Sequence, residues 1–126
     1  MVLDTCVLFD FMAAKNKAIV SRVEKVLLEA RAAVSVVTVF ELLRGVESPK
    51  HQAQRKELLH LCSILDLTPQ ISERAAEIYT GLKKNGTLIS MEDILIAATA
   101  VHWRYPVLTA NAKDFLRIPG VQLELT

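Results

Sequence analysis

The segment Met1-Val2-Leu3-Asp4-Thr5-Cys6-Val7-Leu8 decides how the chain is read. Three apolar residues end on a carboxylate and a hydroxyl, and a second apolar stretch follows at once. A short apolar run of this kind is a buried-strand candidate, and Asp4-Thr5 closes it where a helix can begin. The pairing of an acid with an apolar run recurs three times. Glu41 follows Val34–Phe40, Asp93 precedes Ile94-Leu95-Ile96, and Asp114 comes soon after Pro106-Val107-Leu108. In an open parallel sheet the carboxyl ends of the strands share one edge, and ligands bind in the crevice there. Acids scattered along the chain can therefore meet in one place.

Working outward, strand and helix candidates alternate. Met1–Leu3 is followed by a short helix at Cys6–Met12 and a longer one at Ala18–Ala30, whose Ile19, Val23, Val26, Leu27 and Ala30 have helical spacing. Ala33–Val37 is a β-branched strand candidate, followed by a helix at Thr38–Val46 that Gly45 closes. Helices are expected at Lys50–Cys62, at Ser72–Asn85 with Asn85-Gly86 as its stop, at Ser90–Arg104 and at Asn111–Leu116. Further strands are expected at Ser63–Leu67, Val107-Leu108 and Val121–Leu125. This order fits right-handed βαβ units, and hence a parallel sheet of about five strands covered by helices on both faces.

The bulk numbers fit one domain. A chain of 126 residues can bury roughly two-thirds of the surface it exposes when unfolded. Its 52% apolar and 6% aromatic content suits an aliphatic core and argues against disorder. No apolar stretch nears the ~20 residues that cross a bilayer. No basic segment with a cleavage site opens the chain. Cys6 and Cys62 make no disulfide framework. The cytoplasm is the expected compartment. Formal net charge is +1. Setting aside Asp4, Glu41, Asp93 and Asp114 leaves ten acids against fifteen Lys and Arg, a surplus of five positive charges on the rest of the molecule. That surplus permits a phosphate-bearing substrate.

Each acid also has a purely structural explanation. Thr38-Val39-Phe40-Glu41, Ser90-Met91-Glu92-Asp93 and Asn111-Ala112-Lys113-Asp114 have the shape of capping boxes, and Asp4 can N-cap the first helix. Such acids gain ~0.3–1 kcal/mol each from the helix macrodipole. Taken together they favour a different reading, because several carboxylates in one crevice repel one another unless a cation joins them. Oxygen donors without His or Cys spacing suit Mg²⁺ rather than zinc. Metal-assisted phosphodiester hydrolysis follows, in which the cation activates a water and offsets charge on the scissile phosphate.

Other chemistries find less support. There is no G-x-G-x-x-G or G-x-x-x-x-G-K-[ST] segment. His51, His60 and His102 share no ligand spacing and are assigned to surface or packing. Cys6, at a helix start without a histidine partner, reads as a small buried thiol. Lys50, Arg55 and Lys56 read as a solvated helix face.

These residues together resemble the PIN-domain family, and within it the VapC-type toxin ribonucleases. Leu3-Asp4-Thr5-x-Val7-Leu8 resembles the family's opening L-D-T-[NS]-V-L. Val39-Phe40-Glu41-Leu42-Leu43-Arg44-Gly45 resembles its second acidic motif. Gly86-Thr87-Leu88-Ile89 with Asp93-Ile94-Leu95-Ile96-Ala97-Ala98 resembles the third. Leu108-Thr109-Ala110-Asn111-Ala112-Lys113-Asp114-Phe115 and Pro119-Gly120-Val121 resemble the closing segment. The motifs occur in order across nearly the whole chain.

The resemblance implies a single PIN domain over residues 1–126, with a three-layer α/β/α sandwich. It implies an endoribonuclease dependent on Mg²⁺ or Mn²⁺, usually a homodimer, acting on RNA and inhibited by a cognate VapB-type antitoxin. Carried over by position, Asp4, Glu41 and Asp93 are the metal-binding acids, and Thr5 and Thr109 support them with hydroxyls. Two positions depart from the pattern. Cys6 stands where Asn or Ser is commoner, which is expected to remove a polar contact. Asn111 stands where many members place a fourth acid; Asp114 is then the charged residue, with Asn111 as a neutral ligand or cap. Two other readings share these residues: an RNA-processing nuclease without an antitoxin, and a catalytically degenerate module that binds RNA or protein.

Overall fold

The structure is a computed structural model that describes residues 1–124. Five strands form one parallel sheet in the order β3-β2-β1-β4-β5. They are β1 (Val2–Leu3), β2 (Ala33–Ser35), β3 (Ser63–Leu65), β4 (Val107–Leu108) and β5 (Leu123–Glu124). Seven helices connect them: α1 (Thr5–Ala13), α2 (Lys17–Leu28), α3 (Val36–Leu43), α4 (Pro49–His60), α5 (Pro69–Lys84), α6 (Met91–Trp103) and α7 (Ala112–Phe115). The three-layer sandwich expected from the alternation is therefore present.

Strand periodicity divides the core in two. Successive side chains of a strand point to opposite faces, and here Val2, Ala33 and Val107 face one way while Leu3, Val34 and Leu108 face the other. The first set packs against Ile71, Ala75, Ile78 and Leu82 of α5, Ile94, Ala97 and Ala98 of α6, and Phe115 of α7. The second packs against Val7 and Leu8 of α1, Ile19, Val23 and Val26 of α2, Leu42 of α3, and Leu58 and Leu59 of α4. The alanine-rich α6 is as buried as its composition implied, with Ile96, Ala97, Thr99 and Ala100 fully covered. No helix among the described residues is long and apolar enough to cross a membrane.

Several boundaries differ from the sequence reading, each with a local cause. The strand expected at Ala33–Val37 stops at Ser35, whose hydroxyl accepts the Thr38 N–H at 3.2 Å and caps α3. Val36 and Val37 are helical despite their β-branching, because a cap and tertiary packing outweigh the small propensity difference. Glu41 consequently lies in the second turn of α3 and is not the acid of a capping box. Thr68 caps α5, with Pro69 in its first turn, so this helix starts three residues earlier than expected. Gly86, at φ +70°, terminates it. The third strand ends at Leu65 rather than Leu67. The last runs over Leu123–Glu124: of the expected Val121–Leu125, Val121 and Gln122 precede the strand as irregular chain, and Leu125 lies outside the described residues.

Register positions the site. Leu3 pairs with Leu108, so the next residues, Asp4 and Thr109, emerge together at the carboxyl edge. The Asp4 N–H donates to Leu108 O at 3.0 Å and continues the ladder one step. Neighbours β2 and β4 flank β1 on opposite sides, so this edge is where the connections diverge, the place where open sheets bind ligands.

Candidate active site

Asp4 ends β1 and occupies the N-cap position of α1, yet its side chain caps nothing. It is 2% exposed. Its Oδ2 accepts from the Thr109 hydroxyl at 2.7 Å and from the Cys6 thiol at 2.9 Å. A buried carboxylate is costly unless hydrogen-bonded, and these two donors hold it in place. The polar contact expected to be missing at Cys6 is therefore made, by sulfur. Burial, then the Asp4 charge and the bond to Asp4, push the Cys6 thiol up to about 12. It is a thiol at neutral pH, able to donate and unable to act as a nucleophile.

Glu41 reaches the same edge from α3. Its Oε1 accepts from Thr5 Oγ1 at 2.8 Å, and Arg44, one turn on, lies 3.6 Å from Oε2. The Thr5 hydroxyl is 2.9 Å from that of Thr38, which is 3.4 Å from that of Ser35. Ser35 and Thr38 are fully buried and Thr5 nearly so. An ionised carboxylate can only accept, so the chain has one direction: Ser35 donates to Thr38, Thr38 to Thr5, and Thr5 to Glu41. Sequence reasoning identified Thr5 but missed Thr38 and Ser35. The signal was available in the spacing Ser35-x-x-Thr38-x-x-Glu41, which places three polar side chains on one stripe of an otherwise apolar helix.

Asp93 lies in the first turn of α6, where its N–H donates to Ser90 Oγ at 3.1 Å. The capping reading of Ser90 is therefore right, and it coexists with a place for Asp93 in the pocket wall. The Asp93 carboxyl is raised from 3.8 to about 6, first by burial and then by the Asp4 charge; Asp114 and Glu41 also raise it, while the Ser90 hydroxyl opposes the shift. Asp93 thus senses the charges of the other three acids singled out in the sequence.

Asp4, Glu41 and Asp93 line one pocket of about 270 Å³, together with Glu92, which the sequence reading did not select. Thr5, Cys6, Phe9, Ser90 and Asn111 complete its wall. Asp114 is not part of that wall. Its Oδ2 accepts from Asn111 Nδ2 at 2.9 Å, and Arg117 lies 3.8 Å from Oδ1. Asn111 does not cap α7 through its side chain; it stands between Asp114 and the pocket. Thr109 also accepts the Asn111 N–H at 2.9 Å, which fixes the β4–α7 turn.

The donors are carboxylate oxygens backed by hydroxyls, a set suited to a hard divalent cation; such a cation would offset both the burial that chiefly raises Asp93 and the lesser repulsion from the other acids. Among the described residues, no three His, Cys, Asp or Glu side chains already close around a point that could hold a metal ion. The acids face a common space without converging on a single centre.

A family model described as the PIN domain matches residues 1–121. The chain is similar to ribonuclease VapC of Rickettsia bellii, 36% identical over 100 residues that cover 74% of this chain and 75% of that protein. It is similar to ribonuclease VapC1 of Methanocaldococcus jannaschii, 31% identical over 125 residues, 99% of this chain and 85% of that one. Among solved structures it resembles VapBC2 from Rickettsia felis bound to a DNA fragment from their promoter, with a TM-score of 0.81, 26% identity, and coverage of 99% of this chain and 97% of that chain.

Proposed function

The chain belongs to the PIN-domain family, among its VapC ribonucleases, and from that membership we propose that it is the toxin of a toxin–antitoxin pair. In this reading the whole chain, 1–126, works as a single PIN domain in the cytoplasm, and it is an endoribonuclease that hydrolyses RNA phosphodiester bonds with Mg²⁺ or Mn²⁺ as cofactor. The observation that carries the reading is the meeting of Asp4, Glu41 and Asp93, from three separate segments, on one pocket at the strand-end edge.

Asp4, Glu41 and Asp93 would hold the cation, with Asp114 contributing from behind Asn111. When bound, the cation supplies positive charge that offsets the carboxylates and the scissile phosphate and makes a water more acidic. The chain's own residues do the positioning. Thr109 and Cys6 fix Asp4, and the hydroxyl chain ending at Thr5 fixes Glu41. Asp93, near half-protonation at pH 6, gives up its proton when positive charge enters the site. Burial of Asp4 keeps bulk water from screening these interactions.

The R. felis structure is of VapBC2 bound to a DNA fragment from their promoter, and a VapB-type antitoxin is the partner proposed here. A cavity of about 520 Å³ between α1 and α4, lined by Phe11, Met12, His51, Gln54, Arg55 and Leu58, offers it a seat. A homodimer is proposed from the family. Persistence of the Cys6–Asp4 bond favours a working site over a degenerate one.

The test uses purified protein and a panel of RNAs with Mg²⁺, with Mn²⁺ and with EDTA. Cleavage is expected only with the cation, and Asp4→Asn should abolish it while the circular dichroism spectrum stays unchanged. Cation-independent cleavage, or full activity in the folded variant, refutes the assignment.

A further inference from the structure

We propose that the Phe9 ring is the seat for an unpaired nucleobase beside the scissile phosphate; this rests on the ribonuclease reading. The pocket wall holds four carboxylates and no Lys or Arg. Such a wall offers no cationic side chain to the sugar–phosphate backbone, and the cation of the proposed function answers the scissile phosphate alone, so a base entering it needs a neutral attractive surface. Phe9 is the one aromatic side chain in that wall. It lies one turn after Thr5, on the side of α1 that carries the hydroxyl bonded to Glu41. Core packing does not account for it, because Phe9 is 38% exposed whereas Val7 and Leu8 beside it are fully buried.

The ring is also held. The Arg55 guanidinium sits 5.3 Å from its centroid, and Arg55 Nη1 donates to Leu42 O at 2.6 Å, which ties the cation to the C-terminal turn of α3. Arg55 backs the ring, and its remaining surface borders the pocket. Bases stack on aromatic faces whatever their sequence. At about 270 Å³ the space is smaller than a typical ligand pocket, so it admits about one nucleotide. A duplex keeps its bases stacked inside and cannot offer one to the ring.

The inference is tested with short oligoribonucleotides, single-stranded and annealed to their complements, cut by the wild type, Phe9→Leu and Phe9→Tyr. Phe9→Leu keeps apolar bulk and loses the π face. It should raise KM roughly 5- to 150-fold, the range expected from losing one stacked base, with kcat nearly unchanged; Phe9→Tyr should behave as wild type, and the duplex should resist cleavage. In parallel, single strands carrying 2-aminopurine are bound to the Asp4→Asn variant, where stacking should quench their fluorescence, and Phe9→Leu in the same background should abolish the quench. Equal KM for Phe9→Leu, equal cleavage of duplex, or binding without a Phe9-dependent quench overturns the stacking seat alone. Absence of both cleavage and binding overturns the ribonuclease reading beneath it.

Discussion

The Thr109 hydroxyl donates to Asp4 Oδ2 at 2.7 Å across a separation of 105 residues, and both groups lie at the ends of paired neighbouring strands. One bond therefore couples the first strand of the sheet to the fourth at the point where chemistry is proposed. A hydrogen bond to a charged group contributes ~1.5–3 kcal/mol. Thr109→Val keeps the shape and removes the donor, so kcat should fall by at least about tenfold, and Thr109→Ser should recover most of it. Equal rates for Thr109→Val and wild type would show that Asp4 needs no such support.

Thr38 acts on Glu41 through Thr5. Removing its hydroxyl in Thr38→Val frees the Thr5 proton to point elsewhere. One hydrogen bond of ~0.5–1.5 kcal/mol corresponds to a loss of about 2- to 13-fold. The loss should appear in kcat with KM for RNA unchanged, and Thr38→Ser should restore it. A change in melting temperature with no change in kcat assigns Thr38 to packing alone.

Asp93 makes the metal-free protein pH-sensitive. Its carboxyl is raised from 3.8 to about 6, chiefly by burial. Between these values the folded protein keeps a proton that the unfolded chain has lost, so the contribution of this group to stability falls as pH rises through that window. Below 3.8 both states hold the proton and the term vanishes. In EDTA, Asp93→Asn should therefore raise the melting temperature at pH 7.5 and leave it unchanged near pH 3.5. Mn²⁺ must displace the same proton, so its affinity should be about tenfold weaker at pH 5 than at pH 7.5. Affinity independent of pH across this range contradicts the ligand role.

Cys6 should resist thiol reagents. With its thiol pushed up to about 12, iodoacetamide at pH 7.5 should not inactivate the enzyme on the timescale of an assay. Cys6→Ser keeps a donor to Asp4 and should keep full activity. Cys6→Ala leaves Asp4 with Thr109 alone and should lose a few-fold in kcat, because a thiol is only a weak donor. Rapid loss of activity on alkylation refutes the buried-thiol assignment.

Asp114 should matter less than Asp4. It stands behind Asn111, bonded to it and near Arg117. Asp114→Asn should slow cleavage without abolishing it. Complete loss would place its carboxylate among the direct ligands.

The layered fold was legible because β1, β4 and α6 are apolar enough to read without ambiguity and the alternation of elements is regular. That Asp4, Glu41 and Asp93 share one pocket was legible in their places beside apolar runs. What escaped was set by side-chain hydrogen bonds that periodicity does not report. The Ser35 cap moved the start of α3 and placed Glu41 in its second turn. Thr68 and Pro69 opened α5 earlier than its apolar residues suggested. Glu92 and Phe9 joined the pocket because helix rotation turned them towards it, and rotation depends on packing partners far away in sequence. The substitution at Cys6 looked like a lost contact until the geometry showed sulfur taking it over.

With β1 in the middle of the sheet and β4 beside it, a ribosome delivers Asp4 105 residues before Thr109. The strand-end edge cannot assemble on the nascent polypeptide until that hydroxyl has emerged, so a fragment released short of it carries the first carboxylate without the donor that holds it.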